Sequence, residues 1–186
     1  MLTAPQLKAT RLALRPLSQQ DLAAFTLYRQ QPEVARYQSW SDYDMGKAQA
    51  LLNAQLGGTF GAAGSWFQIA IVDKDTDALL GDLALHFIDE NQLEIGFTLA
   101  PRHQGQGLAK EAVTCLLDWY LLQNGGHRVT AICDTENLAS WRLLEALGFR
   151  REAHWVENIF FKGAWGSEYQ YAMLAREWRS RSVNRF

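Results

Sequence analysis

At 186 residues, with 48% hydrophobic and 20% charged residues, the chain is long enough to bury the core of one α/β domain and short for two, so a single domain over residues 1–186 is expected. Its 18 basic and 20 acidic residues leave a net charge of -2, which gives no global field for steering onto nucleic acid or an anionic membrane. No segment approaches about 18 continuous apolar residues, and the start of the chain has no apolar run of signal-peptide length, so a cytoplasmic protein with no membrane partner is expected.

Residues 11–15 alternate like an edge strand, and Ser18 with Asp21 forms an N-terminal cap for a helix reaching about residue 30. A second helix, residues 45–56, follows Asp44. GGTFGAAG (57–64) reads as a flexible connector, after which the pattern switches to period two. Three strands, 66–72, 79–88 and 93–99, separated by polar turns, make an antiparallel meander. In the third, Leu93, Ile95, Phe97 and Leu99 share one face, and Glu94, Gly96 and Thr98 the other. Apolar residues at helical spacing predict a helix over 107–123, stopped by Gly125-Gly126. The next strand, 127–133, must run parallel to the strand before that helix, because a strand–helix–strand crossover is right-handed. A helix with Leu138, Trp141, Leu144 and Leu147 on one side follows and ends at Gly148. The remainder, 149–161 and 167–174, reads as a long hairpin closed by KGAWG (162–166). Cys115 and Cys133 fall in a helix and a strand as small buried hydrophobes without metal-ligand spacing, which suits a reducing compartment, and no metal site is expected.

The segment QGQGLA (104–109) sits between a strand and a helix. Two glycines there let the backbone approach a ligand closely, and consecutive N–H groups and the positive helix end converge on one point. Such a site favours phosphate or pyrophosphate, with Arg102 or Lys110 offering added charge; taken alone, Gly105 and Gly107 also suit a simple tight turn. A P-loop is excluded by the lack of Gly-Lys-Ser/Thr, and a dinucleotide fingerprint by Lys110 at its third glycine position.

Gln104, Gly107 and Ala109 match the pattern Gln/Arg-x-x-Gly-x-Gly/Ala of the GNAT acetyltransferases. EIGFTL, ENLASWRLLEALGF (136–149), FKGAWGSEYQYAML (161–174), RLALRPL (11–17) and ARYQSW (35–40) extend the match, and nearly the whole chain resembles the Rim-type ribosomal-protein N-acetyltransferases. The resemblance implies an α+β fold, a mixed, mostly antiparallel twisted sheet flanked by helices around a central β-loop-α unit that binds acetyl-CoA. It implies that backbone groups of Phe97 and Leu99 hold the pantetheine arm where two strands splay. By the same resemblance, Gln104, Gly105, Gln106, Gly107, Leu108 and Ala109 hold the pyrophosphate, and Asn137 hydrogen-bonds the pantetheine, with Ser140 one turn on facing the thioester. Asn137 also has the residue type and position of a helix N-cap.

Acetyl transfer to an amine needs a neutral amine and a proton for the departing thiolate. At pH 7, deprotonation costs an α-amine about 1.4 kcal/mol and a lysine about 4.6 kcal/mol, so an α-amine acceptor asks less of the base. Glu94, on the strand leading to the thioester, and Glu157, near where Rim-type enzymes carry a glutamate, are the two base candidates. Many family members have a tyrosine seven residues after the asparagine; here it is Leu144, so Ser140 becomes the candidate proton donor. Trp40, Tyr43, Trp155, Trp165 and Tyr169 fall in the segments that by resemblance frame the acceptor cleft, where Asp42, Asp44 and Glu168 could draw a cation. The acceptor is an amine on a protein N-terminus or a small molecule; a silent acyl-CoA-binding module is the non-enzymatic reading, and the assembly is a monomer or homodimer.

Overall fold

The computed structural model describes residues 2–183. Among them, strands β1 (Leu7–Lys8), β2 (Leu12–Pro16), β3 (Trp66–Asp73), β4 (Leu79–Phe87), β5 (Gln92–Leu99), β6 (Arg128–Asp134), β7 (Arg150–Phe161) and β8 (Ala164–Leu174) form one sheet in the order β1-β2-β3-β4-β5-β6-β8-β7. Only β5 and β6 pair in parallel; every other neighbouring pair is antiparallel. Helices α1 (Leu22–Arg29), α2 (Pro32–Ala35), α3 (Met45–Gly57), α4 (Leu108–Leu117), α5 (Leu138–Leu147) and α6 (Ala175–Val183) flank it. This is the mixed α+β architecture expected, with the β-loop-α unit at its centre.

Strand alternation sorts the core onto two faces. Ile69, Leu83, Leu85, Leu93, Ile95, Val129, Tyr171 and Met173 pack with Leu116, Leu144 and Trp178 of α4, α5 and α6. The opposite face carries Ala70 and Val72 against Phe25, Tyr28, Tyr43 and Leu52 of the N-terminal helices. Local chemistry sets the helix starts: the Ser18 N–H donates to Asp21 Oδ2 (2.8 Å), and Asp44 caps α3 by accepting from the Lys47 N–H (2.8 Å). Arg15 ties the first turn to the sheet, with Nη1 on Asp21 (2.7 Å) and Nε on Asp77 (2.9 Å).

Several elements differ from expectation. The strand at 12–16 is not an edge, because two-residue β1 pairs outside it. GGTFGAAG is anchored rather than loose: Phe60 packs on Phe67 and Phe87 with centroids 4.9 and 5.0 Å apart, and the Gly64 N–H donates to Phe87 O (2.6 Å). The helix expected over 107–123 is α-helical to Leu117 and continues as a π-helical stretch, Asp118–Gln123. The hairpin turn narrows to Lys162-Gly163, both with positive φ (50° and 87°), so β8 begins three residues earlier than its sequence pattern predicts. The short α2 and the terminal α6 carry no amphipathic stripe long enough to announce them.

Candidate functional site

β5 and β6 pair only at Gln92↔Arg128, Leu93↔Val129 and Glu94↔Thr130. Beyond Glu94 they part, while β6 stays paired with β8 through Asp134. The gap between them opens into two cavities.

The first, about 480 Å³, is lined by Phe97, Leu99, Gln104, Gly105, Gly107, Leu108, Ala109, Asn137 and Ser140, with Lys110 at its wall. Gly105 and Gly107 adopt φ of +72° and +77°, and Gly107 stands at the N-cap of α4. Among the described residues, none of the backbone N–H groups of Gly105, Gln106 and Gly107 meets a protein acceptor. They lie next to the first N–H groups of α4, which likewise have no intrahelical acceptor. The Gln104 side chain turns back to donate to Leu99 O (3.0 Å), closing the loop onto the end of β5. Gln106 lies outside the lining: its side chain donates to Arg102 O (2.9 Å), and its carbonyl accepts from Arg11 Nη1 (2.8 Å). Arg11 also holds Glu111 of α4 through its backbone N–H and its Nε, each 2.7 Å. Sequence reasoning missed this clamp, which spans 100 positions. Arg102 lies in neither cavity; Nε donates to His103 (2.9 Å).

The second cavity, about 540 Å³, lies over the opposite sheet face, beneath the N-terminal helices. Its floor follows from the register: Trp66, His86 and Glu94 form one cross-strand row, Gln68, Ala84 and Gly96 the next, and Ala70, Asp82 and Thr98 a third. Small Ala84 and Gly96 make the middle row a hollow. Arg29, Trp40 and Tyr43 form the roof, and Tyr37, Gln38, Phe97, Thr98, Asn137 and Ser140 line both cavities, so the two meet there. Asn137 caps α5, its Oδ1 accepting from the Ser140 N–H (3.3 Å), which fixes Ser140 at the junction. Leu144, fully buried, lines the second cavity with a side chain that has no proton to give.

The base candidates separate. Glu94 lines the second cavity, its Oε2 3.4 Å from His86 Nδ1, and His86 stacks flat on Trp66 with centroids 4.4 Å apart. Glu157 sits in an irregular stretch of β7 at φ +48°, exposed, its N–H donating to Ser167 Oγ (2.9 Å), and it lines neither cavity. Of the aromatic residues expected at the acceptor cleft, Trp40 and Tyr43 line the second cavity; Trp155, Trp165 and Tyr169 do not, and Tyr37 and Trp66 line it instead. Asp42 pairs with Lys47 (3.2 Å), Asp44 is a cap, and Glu168 accepts from Asn158 (2.5 Å), so none faces the cavity. Lys162, at the hairpin turn, donates to Ala35 O (2.5 Å) and Trp40 O (2.7 Å), closing the cavity's side. Cys133 is half-buried and lines the wall; burial pushes its thiol up to about 12, so it stays protonated and is no nucleophile.

A sheet split beside a glycine loop, with two cavities meeting at the split, is a layout that can bring two substrates together. The family model described as "Acetyltransferase (GNAT) domain" matches residues 11–150, and the chain belongs to that family. It is therefore an acetyl-CoA-dependent N-acetyltransferase. It is 28% identical over 169 residues to the uncharacterized N-acetyltransferase YnaD of Bacillus subtilis, covering 90% of this chain and 96% of that one. A GNAT-family acetyltransferase structure from Bacillus anthracis superposes with a TM-score of 0.84 at 26% identity, covering 93% of this chain and all of the other. Two relatives with stated acceptors differ in kind: a spermidine N(1)-acetyltransferase of Vibrio cholerae, 26% identical over 62% of this chain and 66% of its own length, and the ribosomal protein uS5-alanine N-acetyltransferase of Escherichia coli, 25% identical over 64% and 63%. No helix among the described residues is long and apolar enough to cross a membrane.

Proposed function

We propose that the acceptor is a primary amine at a protein or peptide N-terminus, taken up in the second cavity, while acetyl-CoA lies along the first. The observation that carries this reading is the meeting of the two cavities at Ser140 and Phe97, with Glu94 on the floor of the acceptor side. The loop suits a pyrophosphate, because the N–H groups of Gly105, Gln106 and Gly107 have no acceptor among the described residues and a Cβ at Gly105 would stand in open space. The edge of β5 past Glu94, which β6 no longer pairs, suits an amide-bearing pantetheine arm at Phe97 and Leu99.

On this reading Glu94 accepts the amine proton, directly or through water. The amine nitrogen then bonds to the acyl carbon, the carbon–sulfur bond breaks as the adduct collapses, the nitrogen's surplus proton passes through the Ser140 hydroxyl to the departing sulfur, and Glu94 releases the first proton to solvent. A backbone N–H at the end of β5 stabilises the oxygen that gains charge. An α-amine, already partly neutral at pH 7, is the acceptor that one partly exposed carboxylate serves best. Thiol release from acetyl-CoA with peptides, spermidine and aminoglycosides tests the proposal. Acetylation of a peptide α-amine at least tenfold faster in kcat/KM than of spermidine supports it; the reverse order sinks it.

A further inference from the structure

The deep end of the acceptor cavity holds more polar chemistry than one base requires. Arg29 is 4% exposed, Tyr43 8% and Gln68 9%, and all three line the cavity. Arg29 Nη2 donates to Asp82 Oδ2 (2.8 Å), and Tyr28 donates to the other oxygen of Asp82. The guanidinium lies between aromatic rings, 4.0 Å from the Phe25 centroid and 4.3 Å from that of Trp40. Among the described residues, three of the buried polar atoms here have no hydrogen-bond partner: Arg29 Nε, the Tyr43 hydroxyl and Gln68 Oε1. Buried groups of this kind are costly unless something completes them. Burial pushes the Tyr43 phenol up, and the nearby Arg29 charge only partly opposes this, so Tyr43 is a neutral hydroxyl.

The three atoms specify a complement. Arg29 Nε–H can only donate, Gln68 Oε1 can only accept, and the phenol can do either. A carboxylate would satisfy Arg29 and Tyr43 but leave Gln68 Oε1 without a donor. An ammonium would satisfy Gln68 but leave Arg29 Nε–H unmatched beside a second cation. A peptide group matches both, its carbonyl accepting from Arg29 or Tyr43 and its N–H donating to Gln68. The register gives the spacing, since Gln68 lies two strands and one row from Glu94. That is on the order of 12 Å between backbones, the reach of about three extended residues.

From this we infer that the deep end of the acceptor cavity is a peptide-bond subsite, in which Arg29, Tyr43 and Gln68 read a backbone amide within the first three residues of the acceptor. The inference rests on the proposal that a peptide α-amine is the acceptor. Its test uses the full chain, trialanine amide, and an alkylamine of equal length without amides. For the wild type, kcat/KM should favour the peptide, and that preference should fall about tenfold or more in each of Tyr43→Phe and Gln68→Met, with the KM for acetyl-CoA unchanged. N-acetyl-trialanine amide, titrated calorimetrically in the presence of CoA, gives a readout independent of turnover, and its Kd should weaken by a similar factor in both variants. Thermal unfolding confirms that each variant is folded.

Peptide acetylation with an unchanged preference and unchanged Kd in folded variants overturns the subsite while leaving the α-amine acceptor standing. Variant-sensitive binding of the acetylated peptide without turnover of any peptide supports the subsite and overturns the acceptor proposal. Acetylation of spermidine or the alkylamine in preference to the peptide, with no binding of the acetylated peptide, overturns both.

Discussion

At the scale of single residues, the proposed chemistry turns on Ser140, which lines both cavities, and Glu94, which lines the second. Replacing Ser140 by Ala removes one hydroxyl from the first turn of α5 and leaves the Asn137 cap in place, because the cap is accepted from the backbone N–H of residue 140. The expected result is a kcat lowered by about 10²-fold, within the range for a lost proton donor, with acetyl-CoA affinity little changed. Steady-state kinetics at saturating peptide reads both quantities, and a collapse of affinity with turnover intact would make Ser140 a binding residue. Glu94→Gln should lower kcat/KM by about 10²–10⁴-fold at pH 7 and recover partially as the pH rises through about 8, where an α-amine loses its proton unaided. Glu157→Gln should follow the wild-type pH profile, since its side chain faces neither cavity; a profile altered at Glu157 alone would transfer the role. While the roles proposed for Asn137 and Ser140 come from the family resemblance, the places of Glu94, Asn137 and Ser140 on their elements were legible from strand alternation and a cap-then-helix pattern. Tyr37, Gln38 and Arg11 were not, because their roles depend on partners far along the chain, such as Arg11 on Glu111 and Tyr37 on Glu136 O (3.2 Å).

At the scale of elements, the loop before α4 is built on backbone geometry that only glycine adopts cheaply. Gly107 has φ +77°, and a Cβ there would stand 3.5 Å from Arg11 Nη2 in ordinary contact, so the cost of Gly107→Ala is conformational rather than steric. That substitution should strain the loop by about 1–2 kcal/mol and raise the KM for acetyl-CoA about tenfold, with little effect on kcat at saturation. A KM equal to the wild type's would show that the loop does not cradle the cofactor. Strands and long helices were legible wherever their periods ran uninterrupted, as in the meander of β3, β4 and β5. β1 escaped because two residues carry no period. α6 escaped because Ala175–Val183 is rich in Arg and Ser, and one large side chain, fully buried Trp178, docks it. The π-helical stretch after Leu117 escaped because its apolar spacing still reads as helix.

At the scale of the whole molecule, the cleft exists because one half of the sheet pulls away from the other beyond Glu94 while each half is held by its own ties. On the β6-β8-β7 side, Glu152 of β7 lies between Arg128 of β6 and Arg150. The Arg128 guanidinium, with Arg150 beside it, holds the Glu152 carboxyl down to about 2. A carboxyl depressed on folding stabilises fully above its unfolded pKa and loses that contribution as pH falls towards the folded value. Glu152→Gln should therefore cost about 1 kcal/mol at pH 7, a figure limited by solvent screening at this partly exposed site. The difference from the wild type should shrink as pH falls from about 4.5 to about 2, as urea unfolding would show; a difference that stays constant over that range would remove the ion pair from the account. The splay between β5 and β6 was legible only through family resemblance, since pairing between distant strands leaves no local signal.

The most direct test of the central claim is a crystal structure of the protein with CoA bound. The account predicts the pyrophosphate on the N–H groups of residues 105–109, the pantetheine along the unpaired edge of β5, and the thiol at the junction, within hydrogen-bond reach of Ser140 and open towards Glu94. A pyrophosphate away from the loop, or a thiol that ends outside the junction, would contradict it.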